Sequence, residues 1–230
     1  MKISPMSVEL IDSMGSDLSV VNAARVSFAK ESDWQYERYG GLYECSREVL
    51  SEKDQKLITY LAKHGHWTPF AHAFLSFRIK APIFVARQLV KHQVGLAWNE
   101  VSRRYVDDEP EFWFPEVWRG KPVNAKQGSS GIVDRSAFTQ HDTPETVCDI
   151  ALMMYQTMLE AGVAPEQARM ILPQNTMTTW IWSGSLAAFA RVCKLRLDPH
   201  AQQETQDVAF EIDRLVPDNF KHSWKALLEN

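Results

Sequence analysis

Residues 87–105 read RQLVKHQVGLAWNEVSRRY, and the pattern changes character within this stretch. Pro82 suits the first turn of a helix, and apolar spacing continues that helix to about Lys91. Gly95 then favours a loop, and residues 101–106 are expected to resume extended structure. The polar and charged side chains crowded into this junction predict either a solvated helix end or a binding site for an anion.

The flanking segments alternate between strand-like and helical patterns, which predicts an α+β fold. Strands are expected at residues 8–11, 75–79 and 176–182. Helices are expected at residues 17–25, 51–64, 82–91, 143–162, 165–173, 185–197 and 199–216, with a short helical turn at 68–69. Asp17 and Asp198 are the expected caps of the first and last of these helices.

Two segments look like surface excursions from a single domain that spans residues 1–230. Residues 30–51 are polar and aromatic with a turn at Gly40-Gly41, so we expect little regular structure there. Residues 119–142 are rich in Gly and Ser and are expected to be exposed. Since the chain shows neither a repeat nor a linker, one domain is the prediction.

Composition narrows the class of protein. The chain has 230 residues, 45% of them apolar, and a formal net charge of −4. A general nucleic-acid binder would be basic, so this balance argues against one. The N-terminus lacks the apolar run of a signal peptide, and no stretch of about eighteen apolar residues predicts a membrane span. Three distant cysteines fit a reducing compartment, so we expect a cytoplasmic protein.

The residues after Pro82 suggest chemistry with an anion. Arg87, Gln88 and Lys91 lie about one helical turn apart, and Arg and Lys are suited to phosphate and carbonyl oxygens. Ser102 lacks the glycine-framed elbow of an acyl-transfer nucleophile, so a phosphate or carbonyl contact is expected of it. Neither common glycine-rich nucleotide loop occurs in the sequence.

Histidines and tryptophans offer two further interpretations. His64, His66 and His72 have a spacing that a metal could use, but no cysteine lies near. We therefore predict no metal, and we favour a helix end or a ligand contact for these histidines. The tryptophans could stack on a ligand ring, although most are expected in the core; with one phenylalanine these aromatic residues are Trp98, Trp113, Phe114, Trp118, Trp180 and Trp182.

Several motifs occur in a fixed order along the chain. They read HGHxTPFxH (64–72), APIFVARQ (81–88), NExSxRY (99–105), ARxxLP (168–173) and LRxDxHAQ (195–202). Together they resemble the flavin-dependent thymidylate synthases, the ThyX family, and the similarity runs from Ala23 almost to the C-terminus. The family signature Arg-His-Arg here reads Lys91-His92-Gln93, and the loop to Ser102 is one residue longer than in the family. The long excursions resemble those of phage-encoded members, for which the compartment would be the host cytoplasm.

The resemblance implies a mixed sheet with packed helices and a homotetramer whose active sites are shared between subunits. It also implies FAD as cofactor, NADPH as reductant and 5,10-methylenetetrahydrofolate as carbon donor for the conversion of dUMP to dTMP. The protein would supply binding, orientation and charge. No nucleic acid or membrane is among the implied partners.

The residues that match the family's functional positions fall into three overlapping sets. Those expected to act in catalysis are Arg196, Ser102 and His66. Those expected to bind dUMP are Gln88, Lys91, Glu100, Ser102, Arg103, Arg104, Arg169 and Arg196. Those expected to bind FAD are Ser27, His66, Thr68, Lys91, His92, Gln93, Val94, Asn99, Glu100, Ser185, Arg191 and His200. Arg196 would lie over the pyrimidine and stabilise negative charge as C5 becomes nucleophilic.

Two alternatives stay open at this point. The replacements at Lys91 and Gln93 allow a non-catalytic homologue that binds dUMP or flavin without turnover. The second is a nucleic-acid-binding protein that uses Lys91, Arg103, Arg104 and the tryptophans, and it would show a salt-dependent affinity for oligonucleotides.

Overall fold

The computed structural model describes residues 1–39, 45–106, 108–122, 128–138 and 143–230, and its elements alternate along the chain. The strands are β1 (Lys2–Ile3), β2 (Ser7–Met14), β3 (Gln35–Tyr39), β4 (Cys45–Val49), β5 (Phe74–Pro82), β6 (Leu96–Glu100), β7 (Glu111–Phe112), β8 (Arg119–Gly120), β9 (Ser130–Ile132) and β10 (Met177–Ser185). The helices are α1 (Asp17–Arg25), α2 (Glu52–Lys63), α3 (Ile83–Leu89), α4 (Pro144–Glu160), α5 (Pro165–Ala168), α6 (Leu186–Arg196), α7 (Gln203–Leu215) and α8 (Lys221–Glu229). The fold class is α+β, as the sequence predicted.

The centre of the fold is a four-stranded sheet with the order β2-β5-β10-β6, in which every neighbouring pair is antiparallel. Alternate residues of β5 are buried because side chains of a strand point to opposite faces in turn. Trp182 lies opposite Phe77 on this buried face. The Phe189 ring of α6 packs edge-on against both, with ring centroids 5.3 and 5.1 Å away. Parallel pairing occurs between β1 and β7, so the sheets taken together are mixed.

The opposite face of the central sheet is polar. Glu9 and Arg78 form an exposed ion pair across β2 and β5. The hydroxyls of Ser76 and Ser183 lie 2.6 Å apart across β5 and β10. The core therefore lies on one side of the sheet, where α6, α7, α8 and α1 pack. A second cluster joins Phe112 of β7 to Leu152 and Tyr155 of α4.

The predicted cap of α1 is corrected by the structure. Ser16 caps α1 through a capping box with Ser19. The buried Asp17 carboxylate instead accepts hydrogen bonds from the backbone N–H groups of His222 and Ser223, at 2.9 and 2.8 Å. It thus satisfies the unpaired donors at the start of α8, where negative charge is favourable.

Three further expectations are wrong in detail. Residues 30–51 are more regular than expected, because β3 and β4 form an antiparallel hairpin there; the Gly40-Gly41 turn lies outside the described residues. The extended segment is β6, at 96–100, while residues 103–105 form a turn. Helix α7 begins at Gln203 without a side-chain cap, because the Asp198 carboxylate accepts from the backbone N–H of His200 and from its ring.

The positions of several predicted elements are confirmed. Strands β5 and β10 and helices α2, α4 and α6 lie where their patterns predicted. Within 119–142, the described residues form the short β8–β9 hairpin and a 3₁₀ turn at Arg135–Phe138. Among the described residues, the helices are too short or too polar to cross a bilayer.

Candidate active site

The loop that follows α3 is held tightly against the start of α6. The Gly95 carbonyl accepts a hydrogen bond from the backbone N–H of Ser185 at 3.1 Å. Gly95 has a φ of +76°, and a Cβ there would lie 3.2 Å from the Ala188 Cβ. A larger residue would be strained and crowded, so glycine is required where β6 begins.

Two side chains strengthen the same contact. Arg191 donates from Nη2 to the carbonyl oxygen of Val94 at 2.6 Å. The Ser185 hydroxyl caps α6 by accepting from the backbone N–H of Ala188 at 3.3 Å. Both residues, expected near a flavin, therefore lie against the loop, whereas the Lys91, Gln93 and Val94 side chains remain exposed.

His92 and Arg196 meet beside this loop. The Arg196 Nε donates to Nε2 of His92 at 3.0 Å. Burial lowers the pKa of His92, and the positive charges of Arg196 and Arg191 lower it further. Burial also lowers the pKa of Arg196. A neutral His92 is therefore the hydrogen-bond acceptor that sets the direction of the Arg196 side chain.

A second group of expected residues surrounds another cavity. Glu100, Arg103 and Arg169 line a cavity of about 290 Å³. The two oxygens of Glu100 accept from the Thr178 hydroxyl at 2.7 Å and from the Trp98 indole N–H at 3.1 Å. Arg103 donates to the backbone oxygen of Asp108 at 2.9 Å, so its side chain is fixed at the cavity wall.

Ser102, Arg104 and Asn99 lie close to this second group. The Ser102 hydroxyl accepts from Nε of Arg104 at 3.0 Å, which gives it a hydrogen-bonding role. The Arg104 guanidinium also lies 5.0 Å from the centre of the Tyr105 ring. Asn99 pairs with Ile181 and therefore faces the polar side of the sheet, away from Glu100.

The remaining expected flavin residues lie at the surface. The exposed His66 has its ring 6.0 Å from that of Tyr60. Thr68 begins a 3₁₀ turn, Thr68–His72, that packs against α6 and β10. Ser27 is exposed after α1, and the exposed His200 ring is bonded to Asp198 at 2.9 Å. In the described part of the chain, no group of three or more His, Cys, Asp or Glu residues is placed to hold a metal.

The expected dUMP residues thus divide into two groups along β6. Leu96, at the loop end, pairs with Gly184, whereas Glu100 pairs with Trp180. Four strand residues span roughly 13 Å at the usual rise per residue. Within the described residues, no hydrogen bond or ion pair joins the Gln88–His92–Arg196 side to the Glu100–Arg103–Arg169 side.

Sequence reasoning missed a set of polar residues beside Gln88. The Gln88 side chain donates to Oε1 of Gln202 at 3.4 Å, and Gln202 donates to Oε2 of Glu204 at 2.9 Å. Glu204 is 4% exposed and forms an ion pair with Arg119. Gln202 closes the LRxDxHAQ motif, which was the available signal, but Arg119 and Glu204 lie outside every recognised block.

An aromatic cavity adjoins these residues. Its volume is about 530 Å³, and Phe84, Trp113 and Trp118 line it beside Gln202 and Glu204. Trp180 and Trp182, which were alternatives for ligand stacking, are 1% and 0% exposed and belong to the core. Their neighbour Trp98 stacks on Trp180 with centroids 4.4 Å apart.

The site fits a ligand with several negative charges. Among the described residues, several cations near the two groups have no carboxylate partner, including Lys91, Arg104, Arg169, Arg191 and Arg196. Uncompensated cations attract phosphate, and Arg offers it two parallel donors. These residues therefore fit a nucleotide phosphate and the diphosphate of a flavin dinucleotide.

Comparison with known proteins identifies the family. The model of the thymidylate synthase complementing protein family matches residues 9–220. The flavin-dependent thymidylate synthase of Thermosipho africanus is 35% identical over 223 residues, which cover 96% of this chain and 90% of that protein. The chain belongs to the flavin-dependent thymidylate synthase family. It is a thymidylate synthase, a methyltransferase that depends on a flavin, and the recognition made from the ordered motifs is confirmed.

Two further similarities agree with this assignment. A flavin-dependent thymidylate synthase of Thermus thermophilus is 38% identical and is matched over 97% of this chain and 76% of its own length. The crystal structure of the UMP/dUMP methylase PolB from Streptomyces cacaoi, bound with 5-Br dUMP, superposes with a TM-score of 0.80 at 30% identity. That similarity covers 100% of this chain and 97% of PolB.

Proposed function

We propose that this enzyme uses FAD to make dTMP from dUMP, with 5,10-methylenetetrahydrofolate as carbon donor and NADPH as reductant. The observation that carries the proposal is the Arg196 guanidinium, directed by a neutral His92 beside the loop that carries Lys91. Among the described residues, neither Lys91 nor Arg196 has a carboxylate partner. Bound FAD supplies the hydride chemistry; the side chains of the chain bind, orient and neutralise charge.

The substrate residues have distinct roles in this proposal. Arg169 and Arg103, which share the smaller cavity, bind the phosphate of dUMP. Ser102 contributes a hydroxyl that Arg104 already orients. Arg196 stabilises the negative charge that develops on the pyrimidine as C5 becomes nucleophilic. Glu100 accepts hydrogen bonds from a ligand or holds its neighbours in place.

The flavin is held, in this proposal, by the loop after α3 and the start of α6. Lys91 keeps a cation where the family has arginine, and its exposed side chain is free of a carboxylate partner among the described residues. Further flavin contacts in this proposal come from three loop residues and from two residues of α6 and its cap, namely His92, Gln93, Val94, Ser185 and Arg191. The remaining flavin contacts are assigned to Ser27, His66, Thr68, Asn99 and His200. His66 remains a proposed catalytic residue because it matches the family motif.

No enzyme nucleophile is needed. The described free cysteines, Cys148 and Cys193, are buried, and burial raises the pKa of both thiols. Thiols with a raised pKa are poor nucleophiles. These unpaired cysteines also support the cytoplasm as the place of the reaction.

A homotetramer with shared active sites is part of the proposal. The two groups of dUMP residues lie apart on one chain, so a complete site would take one group from each of two subunits. Helix α4 also carries an exposed apolar face, Val147, Ile150 and Met154, each at least 50% exposed. Apolar residues at this helical spacing are typical of a face that a partner covers.

Formation of dTMP in a complete reaction mixture tests the function. Purified enzyme is incubated with dUMP, FAD, NADPH and 5,10-methylenetetrahydrofolate, and each component is omitted in turn. Product should require all four, and UMP in place of dUMP measures whether the 2′-hydroxyl is tolerated. Undiminished dTMP without added or bound flavin, or without folate, would contradict the proposal.

A further inference from the structure

A directed chain of hydrogen bonds runs from the 119–142 excursion to Gln88. Arg119 donates from Nη2 to Oε1 of Glu204 at 2.5 Å, and the other Glu204 oxygen accepts from Nε2 of Gln202 at 2.9 Å. The Gln202 carbonyl oxygen accepts from Nε2 of Gln88 at 3.4 Å. The Gln88 carbonyl oxygen is buried and has no partner.

The charged end of this series of hydrogen bonds, at Glu204, decides which way each amide group points. A carboxylate only accepts hydrogen bonds, whereas an amide side chain has one accepting and one donating end. Glu204, paired with Arg119, therefore turns the NH₂ group of Gln202 toward itself. The Gln202 oxygen then faces Gln88, which must present its own NH₂ group. Rotating the Gln88 amide by half a turn would oppose two oxygens.

This series of hydrogen bonds leaves the Gln88 carbonyl oxygen without a donor, and a buried acceptor without a partner is unfavourable. We propose that Arg119, Glu204 and Gln202 act as positioning residues that aim the Gln88 carbonyl oxygen at an N–H donor of the substrate, the N3–H of a uracil ring. This inference rests on the proposed function, because it deepens the role of Gln88 at the dUMP site.

The proposal gives the enzyme a basis for base discrimination. Uracil carries a hydrogen on N3, whereas cytosine presents an unprotonated, accepting N3. A fixed carbonyl oxygen accepts a hydrogen bond from the uracil N3–H and repels the lone pair of the cytosine N3. A buried polar group that one ligand pairs and the other leaves unpaired discriminates strongly between the two. The Gln88 oxygen is covered in the free chain, so binding requires neighbouring side chains to move, as interface rotamers commonly do.

The excursion gains a role from the same contacts. Arg119, in β8, also donates from Nε to the hydroxyl of Ser129 at 2.9 Å, which ties β8 to the residue just before β9. The Arg119–Glu204 ion pair then fastens β8 to the start of α7. The segment thereby supports a substrate contact that it does not itself make.

Glu204→Gln tests the proposal, because an amide at this position accepts or donates and no longer sets the direction of the chain. Affinities for dUMP and dCMP are measured by calorimetry on the wild-type and variant enzymes. The ratio of dUMP to dCMP affinity should fall about tenfold in the variant, measured at a temperature at which both enzymes are folded, because loss of the ion pair with Arg119 also lowers the melting temperature. Glu211→Gln, on the outer part of the same helix, is the matched control and should keep the wild-type ratio.

Gln202→Leu provides a second test in which the acceptor facing Gln88 is removed. It should reduce the same affinity ratio, again about tenfold, because Gln88 is then free to rotate. If either variant binds both nucleotides with the wild-type ratio, or loses affinity for both equally while its melting temperature falls, the chain of contacts is only structural. Wild-type enzyme that fails to bind dUMP would instead overturn the proposed function itself.

Discussion

Arg196 donates a hydrogen bond from Nε to Nε2 of His92, across 104 positions of the sequence. The bond directs a charged guanidinium from the end of α6 toward the loop after α3. Since His92 accepts only while it is neutral, the orientation of Arg196 depends on the protonation state of its partner. The proposed stabilisation of the pyrimidine therefore depends on a pair of residues.

Replacement of Arg196 by alanine should abolish turnover without unfolding the enzyme. Electrostatic stabilisation of a transition state is usually a large contribution, so dTMP formation should fall at least about 100-fold. The melting temperature, measured by circular dichroism, should change little because Arg196 lies at a helix end. Arg214→Ala is the control, since Arg214 is exposed and paired with Glu211. Wild-type-like turnover in Arg196→Ala would remove Arg196 from the mechanism.

Acid should weaken the enzyme through His92. Burial and two neighbouring arginines lower the pKa of His92 below its usual 6.5 in the folded state. The unfolded chain then binds more protons below pH 6.5, so stability falls as the pH decreases through this range. The cations that act on His92 are Arg196 and Arg191, and Lys91 precedes it in the sequence. In His92→Gln, which keeps an acceptor, the melting temperature between about pH 7 and pH 5 should fall less than in wild type; an equal fall would contradict this prediction.

Glu111 should stabilise the folded protein while its carboxyl group is charged, whereas His92 does so while its ring is neutral. Hydrogen bonds from Lys2 and Lys80 lower its pKa from 4.5 to about 2. A carboxyl group with a lowered pKa stabilises the fold above about pH 4.5, and that contribution is lost as the pH falls toward 2. Urea unfolding of Glu111→Gln should show a deficit near neutral pH that shrinks below pH 4.5. A deficit independent of pH would point to packing instead.

Much of the fold could be predicted from the sequence, but few of the hydrogen bonds and ion pairs of the site could be. The alternation of Leu75, Phe77 and Ile79 located β5 because a half-buried strand repeats every two residues. Asp17 was assigned to the wrong helix because its partners, His222 and Ser223, are more than 200 positions away. Local pattern carries no information about such contacts.

The site shows the same limit. Ordered motifs located Gln88 and Arg196, but no motif includes Arg119 or Glu204, whose pairing depends on β8 meeting α7. The sequence predicts that the segment 101–106 is extended. In the folded chain the pairing with β10 places the strand at Leu96–Glu100 instead.

Gly95→Ala should destabilise the enzyme and weaken its flavin binding. Alanine at a φ of +76° is strained, and its Cβ would meet Ala188 and Ser185. The unfolding free energy should fall by about 2 kcal/mol or more. Gly65→Ala is the matched control, because Gly65 also has a positive φ, +67°, but nothing lies within 4 Å of an added Cβ. Equal losses of stability, with unchanged FAD affinity in both variants, would contradict the tight packing of the loop.

Mixing two inactive variants should restore activity if subunits share a site. Arg196→Ala and Arg169→Ala damage the two separate groups of dUMP residues. When the two are unfolded together and refolded, roughly a quarter of shared sites would draw both arginines from intact partners. Recovered dTMP formation of that order is expected, with each variant refolded alone as the control. No recovery would place the complete site within one chain.

The most direct test of the account is the visible absorption spectrum of the purified enzyme with FAD under anaerobic conditions. We expect bound flavin that NADPH bleaches, and faster bleaching when dUMP is present, because the nucleotide completes the site around Lys91 and Arg196. Failure to bind flavin even at high FAD concentration would contradict the account. It would mean that the replacements at Lys91 and Gln93 have removed the cofactor site that the family's motifs imply.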